Sequence, residues 1–328
     1  MKKFILILFI PAAITAQIVL ENGIPYDTSF STQSAFEKVL KDFPFAKKIN
    51  RDFSKDVEYK KDLVYSTIGK RELHIDIFQP KNRNDKQLPV LLIIHGGGWR
   101  AGNKSMEWPI AQAIASKGFI TATVEYRLSP EALYPAGIID VKNAIKWLKL
   151  NAEKFNIDKN KIAVTGFSAG GELAAFMGTT STIKKFEDDQ FENISSSVQA
   201  VIDIDGIVDF THPAESNKDS DPQKPSAGKA WFGALYKDNP AVWMEASPMN
   251  YVDEKTPPFL FINSSNERYH AGRDYMIEKM DLFKIYSEVK TIPDTPHTFW
   301  LFEPWFDTTV NYMTDFLYRI FQKQTGKP

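Results

Sequence analysis

The run Lys161-Ile162-Ala163-Val164-Thr165-Gly166-Phe167-Ser168-Ala169-Gly170 leaves a short apolar strand and turns, and residues 172–177 then begin a helix. Within it, Gly166-Phe167-Ser168-Ala169-Gly170 matches G-x-S-x-G. In a strand–turn–helix setting, small neighbours let a sharp turn push the serine oxygen out at the edge of a sheet. Five residues alone are a modest signal, because a plain glycine-rich turn matches the pattern by chance. The strand before and the helix after give it weight and make Ser168 the candidate nucleophile.

The neighbouring segments fit this setting. Upstream, Val90-Leu91-Leu92-Ile93-Ile94 is a continuous apolar run of the kind buried on both faces of a parallel sheet. Residues 110–116 suit a helix and 119–126 another buried strand. Ile138, Val141, Ile145 and Leu148 recur at helical spacing, with Lys142, Lys146 and Lys149 expected on the opposite, polar side. Downstream, 198–204, 259–262 and 286–292 read as strands. Residues 306–321 read as a helix with Val310, Met313, Phe316, Leu317 and Ile320 on one side. Near the start, 63–68 and 71–78 flank Gly69-Lys70 as an antiparallel hairpin. Strands alternating with helices imply an α/β chain with a doubly wound, mostly parallel sheet and right-handed links. Residues 211–252, rich in Pro, Ser, Asp and aromatics, are too long for an ordinary connection. They are expected to form an insertion over the carboxyl edge of the sheet, where such folds bind ligands.

Composition narrows the chemistry. The chain has 328 residues, 40 Lys+Arg against 41 Asp+Glu, five His and no Cys. A net charge of −1 argues against a nucleic-acid partner, which needs a clustered basic excess. Without cysteine there is no disulfide framework, thiolate metal site or cysteine nucleophile. No HExxH or clustered ligand spacing appears, so the chemistry is expected to need no metal or cofactor. Lys2 and Lys3, the apolar residues 4–14 and Thr15-Ala16 read as a signal peptide cut near Ala16. It is too short for an ordinary membrane span, so the mature protein is expected to be exported and without one. Residues 17–56 form an expected N-terminal extension, with a short helix over 34–40. The catalytic domain is expected over 57–328.

A second motif, His95-Gly96-Gly97-Gly98-Trp99, directly follows the most apolar strand. Three glycines let backbone N–H groups approach a developing negative charge, and such pre-aimed donors are typically the largest electrostatic contribution to acyl transfer. The matching donor is the N–H of Ala169, the residue after the nucleophile. A phosphate cradle does not fit, because there is neither G-x-x-x-x-G-K-[ST] nor G-x-G-x-x-G opening a helix. The base for the serine is sought among His74, His95, His212, His270 and His297. In the order serine, acid, histidine that accompanies this elbow the base comes last, which selects His297. A carboxylate must orient its imidazole. Glu267 occupies the expected place after the penultimate strand, and Asp294, in the same loop as His297, is the alternative. Asp205 offers a third geometry and Asp274 a fourth.

On these residues the chain resembles an α/β-hydrolase-fold serine esterase of the branch with an HGGGW-type oxyanion loop. It is similar to exported carbohydrate esterases that remove methyl, acetyl or feruloyl groups from plant polysaccharides. The resemblance spans about residues 57–321, and it implies Ser168 as nucleophile, His297 as base and oxyanion donors at Gly97, Gly98 and Ala169. The departure is the missing Asp after the penultimate strand. Residues 268–274 and 293–300 look like pectin-directed bacterial members, implying an ester of a polysaccharide or oligosaccharide, with pectin methyl or acetyl esters favoured.

Substrate contacts are expected from Trp99 and Trp300, whose flat faces suit sugar rings. Arg268 and Arg273, with Arg127, are candidates to hold a uronate carboxylate. Two other readings are a serine exopeptidase of related fold and a hydrolase-fold protein that binds glycans without cleaving them.

Overall fold

The computed structural model describes residues 18–21, 23–53, 55–83, 86–218 and 225–323; the signal peptide expected over 1–16 lies outside them. Near the N-terminus β1 (Ile18–Glu21) and β2 (Ile24–Asp27) form an antiparallel pair. A helix over Thr32–Val39 follows, two residues ahead of the expected start and capped reciprocally by Ser31 and Ser34. The short β3 (Lys47–Lys48) then pairs with β12 (Phe302–Glu303) near the other end of the chain.

The main sheet holds β4 (Val57–Ile68), β5 (Arg71–Pro80), β6 (Leu88–Ile94), β7 (Ile120–Val124), β8 (Ile157–Phe167), β9 (Ala200–Ile204), β10 (Phe259–Asn263) and β11 (Ser287–Thr291). Their order is β11-β10-β9-β8-β6-β7-β5-β4. From β11 to β7 every pairing is parallel, while β4 on β5 and β5 on β7 are antiparallel. The fold is that of an α/β hydrolase, with the antiparallel hairpin at its start.

Two apolar layers explain the unbroken hydrophobic runs. Successive strand residues point to opposite faces. Thus Val90, Leu92 and Ile94 of β6 join one core with the helices Ala136–Leu150 and Ala169–Thr179. Leu91 and Ile93 join the other core, with Trp108–Ala115 and Phe306–Lys323. Each fully buried aliphatic or Phe side chain contributes about 1.5–3 kcal/mol. A sheet buried on both faces is therefore stable enough to hold its carboxyl edge as a rigid platform.

One expectation about a helix face is corrected. Lys142 and Lys146, expected on the polar side of Ala136–Leu150, are buried. Residues 184–197 cover that face, and Lys142 Nζ donates to Thr180 O at 2.6 Å and pairs with Glu187, which also pairs with Lys146. An apolar-periodicity argument assigns lysines to solvent. Here the long stems pack and a carboxylate meets the two ammonium groups.

The connection between β9 and β10 carries short helices at Pro213–Ser216, Ala227–Phe232 and Pro240–Glu245. Trp231 and Trp243 from this segment are 1% exposed and belong to the core.

Candidate active site

Five strand ends build the site. Ser168 ends the turn after β8 with φ 55° and ψ −118°, a left-handed geometry that a side chain rarely adopts without compensation. The flanking glycines permit it. A Cβ on Gly166 would stand 1.9 Å from Gly170 O, and one on Gly170 would stand 2.2 Å from Ile94 O. The elbow is thus packed so tightly, on itself and against β6, that only glycine fits at either position.

His297, in the loop after β11, reaches this serine: its Nε2 lies 2.8 Å from Ser168 Oγ. The other four histidines are engaged elsewhere. His74 lies against Glu125, His95 Nδ1 against Gly96 O, and His270 Nε2 against Ser264 O; His212 Nδ1 accepts from Ala214 N–H. Burial pushes His95 down to about 4, so it stays neutral beneath the glycine loop, stacked on Tyr126.

The carboxylate that meets His297 is Asp205, immediately after β9. Its Oδ2 lies 2.9 Å from His297 Nδ1, and its Oδ1 accepts the Ser264 N–H at 2.7 Å. The expectation of Glu267, with Asp294 as alternative, is thereby corrected. Glu267 opens a 3-10 turn over Glu267–His270 and makes no bond to His297. Asp294 is exposed at φ 53°, and Asp274 pairs with Arg273. Asp205 is fully buried and itself held at φ 51°. This arrangement fixes the imidazole tautomer, with Nδ1–H donated to Asp205 and Nε2 left to accept the serine proton. Burial holds the His297 imidazole below its ordinary range, opposed by Asp205 and aided by Arg268. The neutral, proton-accepting form therefore prevails at neutral pH.

The glycine loop lies against the elbow. A Cβ on Gly96 would stand 2.7 Å from Phe167 O, and Gly97 and Gly98 take φ values of 124° and 61°. No acceptor among the described residues takes the N–H of Gly97 or Gly98. Ala169 opens its helix, and the first N–H groups of a helix have no partner within it. The N–H of Ala169, next to the serine in the chain, and those of Gly97 and Gly98, in a loop whose Gly96 packs on Ser168 Cβ, are thus the free donors of these two segments.

The expected substrate contacts fare differently. Trp99 is buried, stacked on Trp231 at 4.8 Å and 7°, and Trp300 is buried against Phe167. Neither offers an open face to a sugar. Arg273 is bound to Asp274 and Asn263, and Arg127 to Asp140. Arg268 remains at the rim, paired with Glu215 at 2.8 Å.

Sequence reasoning missed Tyr269, whose ring lies parallel to the His297 imidazole at 3.4 Å and 5°. It also missed Glu172, whose Oε2 accepts from Trp99 Nε1 at 2.9 Å. An acidic residue inside the otherwise apolar helix Ala169–Thr179 was the available signal for the second.

A serine, a histidine and an aspartate joined in this way at the carboxyl edge of such a sheet, beside an HGGG loop, define an α/β hydrolase. The chain belongs to the BD-FAE family of α/β-hydrolase esterases, whose pattern matches residues 75–269. It is 31% identical to esterase LipC of Mycobacterium tuberculosis over 198 residues, 59% of this chain and 48% of that protein. The chain spans about half the length of the curated relatives it matches first. Among solved structures, a truncated carbohydrate esterase from gut microbiota is 25% identical with a TM-score of 0.69, covering 82% of this chain and 99% of that one. An acetyl ester-xyloside bifunctional hydrolase from Caldicellulosiruptor lactoaceticus is 25% identical with a TM-score of 0.60, covering 75% and 89%.

Proposed function

We propose that the protein is a serine carboxylic-ester hydrolase, and that its ester is carried by a polysaccharide or oligosaccharide. The hydrogen-bonded sequence Asp205–His297–Ser168, at 2.9 and 2.8 Å, carries the first part. His297 Nε2 takes the Ser168 proton as Oγ attacks the ester carbonyl, and Asp205 stabilises the imidazolium that forms. The N–H groups of Gly97, Gly98 and Ala169 receive the oxyanion. The imidazolium protonates the departing alcohol. Water, deprotonated by the same His297, then releases the acyl group from Ser168.

The sugar-bearing substrate is supported by the carbohydrate-esterase neighbours. A cavity of about 800 Å3 has His95, Gly102, Tyr126 and Arg71 in its wall, and neither Ser168 nor His297 lines it. β5 runs antiparallel to β7, which brings Arg71 to the same sheet edge as the site. Arg71 pairs with Glu125 and Glu131 at 2.5 and 2.9 Å. For pectin, Arg268 is the remaining candidate among the three arginines expected to hold a uronate. Acetyl and methyl esters of plant polysaccharide, met after export through the leader over 1–16, complete the proposal.

Ser168→Ala is expected to lower kcat on 4-nitrophenyl acetate by about 10^4 or more. Wild-type turnover by that variant would sink the serine mechanism. Mass analysis of products from acetylated xylan and from methylated and acetylated pectin separates the substrates. No release from any of them, with 4-nitrophenyl acetate still cleaved, would remove the polysaccharide from the proposal.

A further inference from the structure

The oxyanion hole is assembled from two separate pieces of chain. Gly97 and Gly98 belong to the loop after β6, whereas Ala169 opens the helix after β8. Their donors act together only if loop and helix keep a fixed separation. Backbone packing supplies part of this, through the contact of Gly96 with the elbow. One side-chain bond bridges the same two pieces: Trp99 Nε1, directly after the glycines, donates to Glu172 Oε2, one helical turn beyond Ser168, at 2.9 Å.

Both ends of this bridge are immobilised. The Trp99 ring is sandwiched in the core by its stack on Trp231 and a tilted contact with Phe210 at 5.2 Å. Trp99 itself sits at φ 57°, a left-handed conformation that costs a residue with a side chain, and its carbonyl accepts the Ser129 N–H at 2.7 Å. Glu172 is fully buried, and its second oxygen, Oε1, has no partner among the described residues. The buried indole N–H needs an acceptor, and a backbone carbonyl would serve. A carboxyl group brought into the core to meet it, with one oxygen left over, is a costly arrangement that packing alone does not require.

We propose that Glu172 and Trp99 are positioning residues, whose buried bond sets the distance between the two donor arms of the oxyanion hole. This rests on the serine-esterase reading above. Burial, with Asp203 nearby, pushes the Glu172 carboxyl well above its ordinary range and favours its neutral form. Asp203 is buried too, and its Oδ1 accepts the Gly206 N–H at 2.8 Å, on the turn that carries Asp205. What Trp99 Nε1 needs from residue 172 is an acceptor oxygen, which a glutamine amide offers as the acid does.

The test compares Glu172→Gln, Glu172→Leu and Trp99→Phe on 4-nitrophenyl acetate. Rates are normalised to the sites that a fluorophosphonate labels at its end point, so misfolded protein does not count. Glu172→Gln is expected to stay within about threefold of wild type. Removing one oxyanion donor outright costs about 10^2–10^3 in kcat, so loosening donors that remain should cost about 10-fold to 100-fold in Glu172→Leu and Trp99→Phe, with KM within about twofold. The Ki of a trifluoromethyl ketone that forms the tetrahedral adduct should rise by the same factor as kcat/KM falls. A merely structural bond would lower the labelled fraction and leave kcat per labelled site unchanged, and that result overturns the proposal. Glu172→Gln as impaired as Glu172→Leu overturns it as well. Ser168→Ala, assayed alongside, tells this failure from failure of the esterase reading: an active Ser168→Ala sinks both, whereas an inactive one with normal Trp99→Phe sinks only the bridge.

Discussion

The ends of β9 and β10 lie side by side and do different work. β9 runs Ala200-Val201-Ile202-Asp203-Ile204 and delivers Asp205 to His297. β10 runs Phe259-Leu260-Phe261-Ile262-Asn263 and delivers no carboxylate. It gives instead the Ser264 N–H that holds Asp205 Oδ1, and the Ile262 carbonyl that accepts the Asp205 N–H. At the last residue of β10, Asn263 accepts from Arg273 at 2.8 Å. The acid and the groups that orient it have thus been divided between neighbouring strands. What the chemistry constrains is the point in space where a carboxylate meets Nδ1, and either strand end can reach that point.

The largest effect should come from breaking this division at its acid. Asp205→Asn keeps the shape but offers a donor where Nδ1–H needs an acceptor, so kcat should fall by about 10^4. Glu267→Gln, at the place the chain order favours, should stay within about twofold. The check is kcat on 4-nitrophenyl acetate for both variants, with circular dichroism confirming the fold. The opposite ranking would return the acid to the β10 side.

A moderate effect should follow from removing what the loop after β10 contributes in exchange. Tyr269 covers the His297 ring at 3.4 Å. Aromatic pairs contribute about 0.5–1.5 kcal/mol beyond burial, so Tyr269→Leu should lower kcat by about threefold to tenfold through loss of ring orientation. Its pH dependence is more diagnostic. His297 acts as base only when neutral, so kcat/KM rises as pH rises through its pKa. Burial, the largest influence, places that pKa below the usual 6.5, and the acid limb of the profile should lie below pH 6.5. Opening the ring to water should move the limb upward in Tyr269→Leu. A limb unmoved by this change would show that Tyr269 does not shield the imidazole.

The sheet, the elbow, the glycine loop and His297 were legible because each rests on a local rule. Periodicity marks a strand with two buried faces, glycine marks a turn with no room for a Cβ, and chain order puts the base last. Asp205 was harder, because local sequence does not show which strand end supplies the carboxylate. Two aspartates ending the apolar run Val201-Ile202-Asp203-Ile204-Asp205 were nevertheless a usable sign, since a carboxylate there must find a partner or remain neutral. Asp205 meets His297, while Asp203 accepts the Gly206 N–H and is pushed by burial well above the usual carboxylate range. Trp99, Trp300 and Lys146 failed for a shared reason. Their surroundings come from segments distant in sequence, Trp231, Phe167 and Glu187 respectively, and no periodicity records those.

The smallest effect concerns Asp294, in the same loop as His297, and it sharpens the comparison by asking what an aspartate does there if it is not the acid. Its φ of 53° is left-handed, which Asp and Asn tolerate better than other side chains because their short polar groups satisfy the turn locally. A backbone role predicts that Asp294→Asn changes neither kcat nor stability. Asp294→Ala should lose about 1 kcal/mol of stability while kcat stays within about twofold, because alanine pays the left-handed penalty without that local help. Urea unfolding beside initial rates separates the two quantities. A fall in kcat in Asp294→Asn at unchanged stability would mean that this carboxylate, too, acts on His297, and that the division between β9 and β10 extends to a third loop.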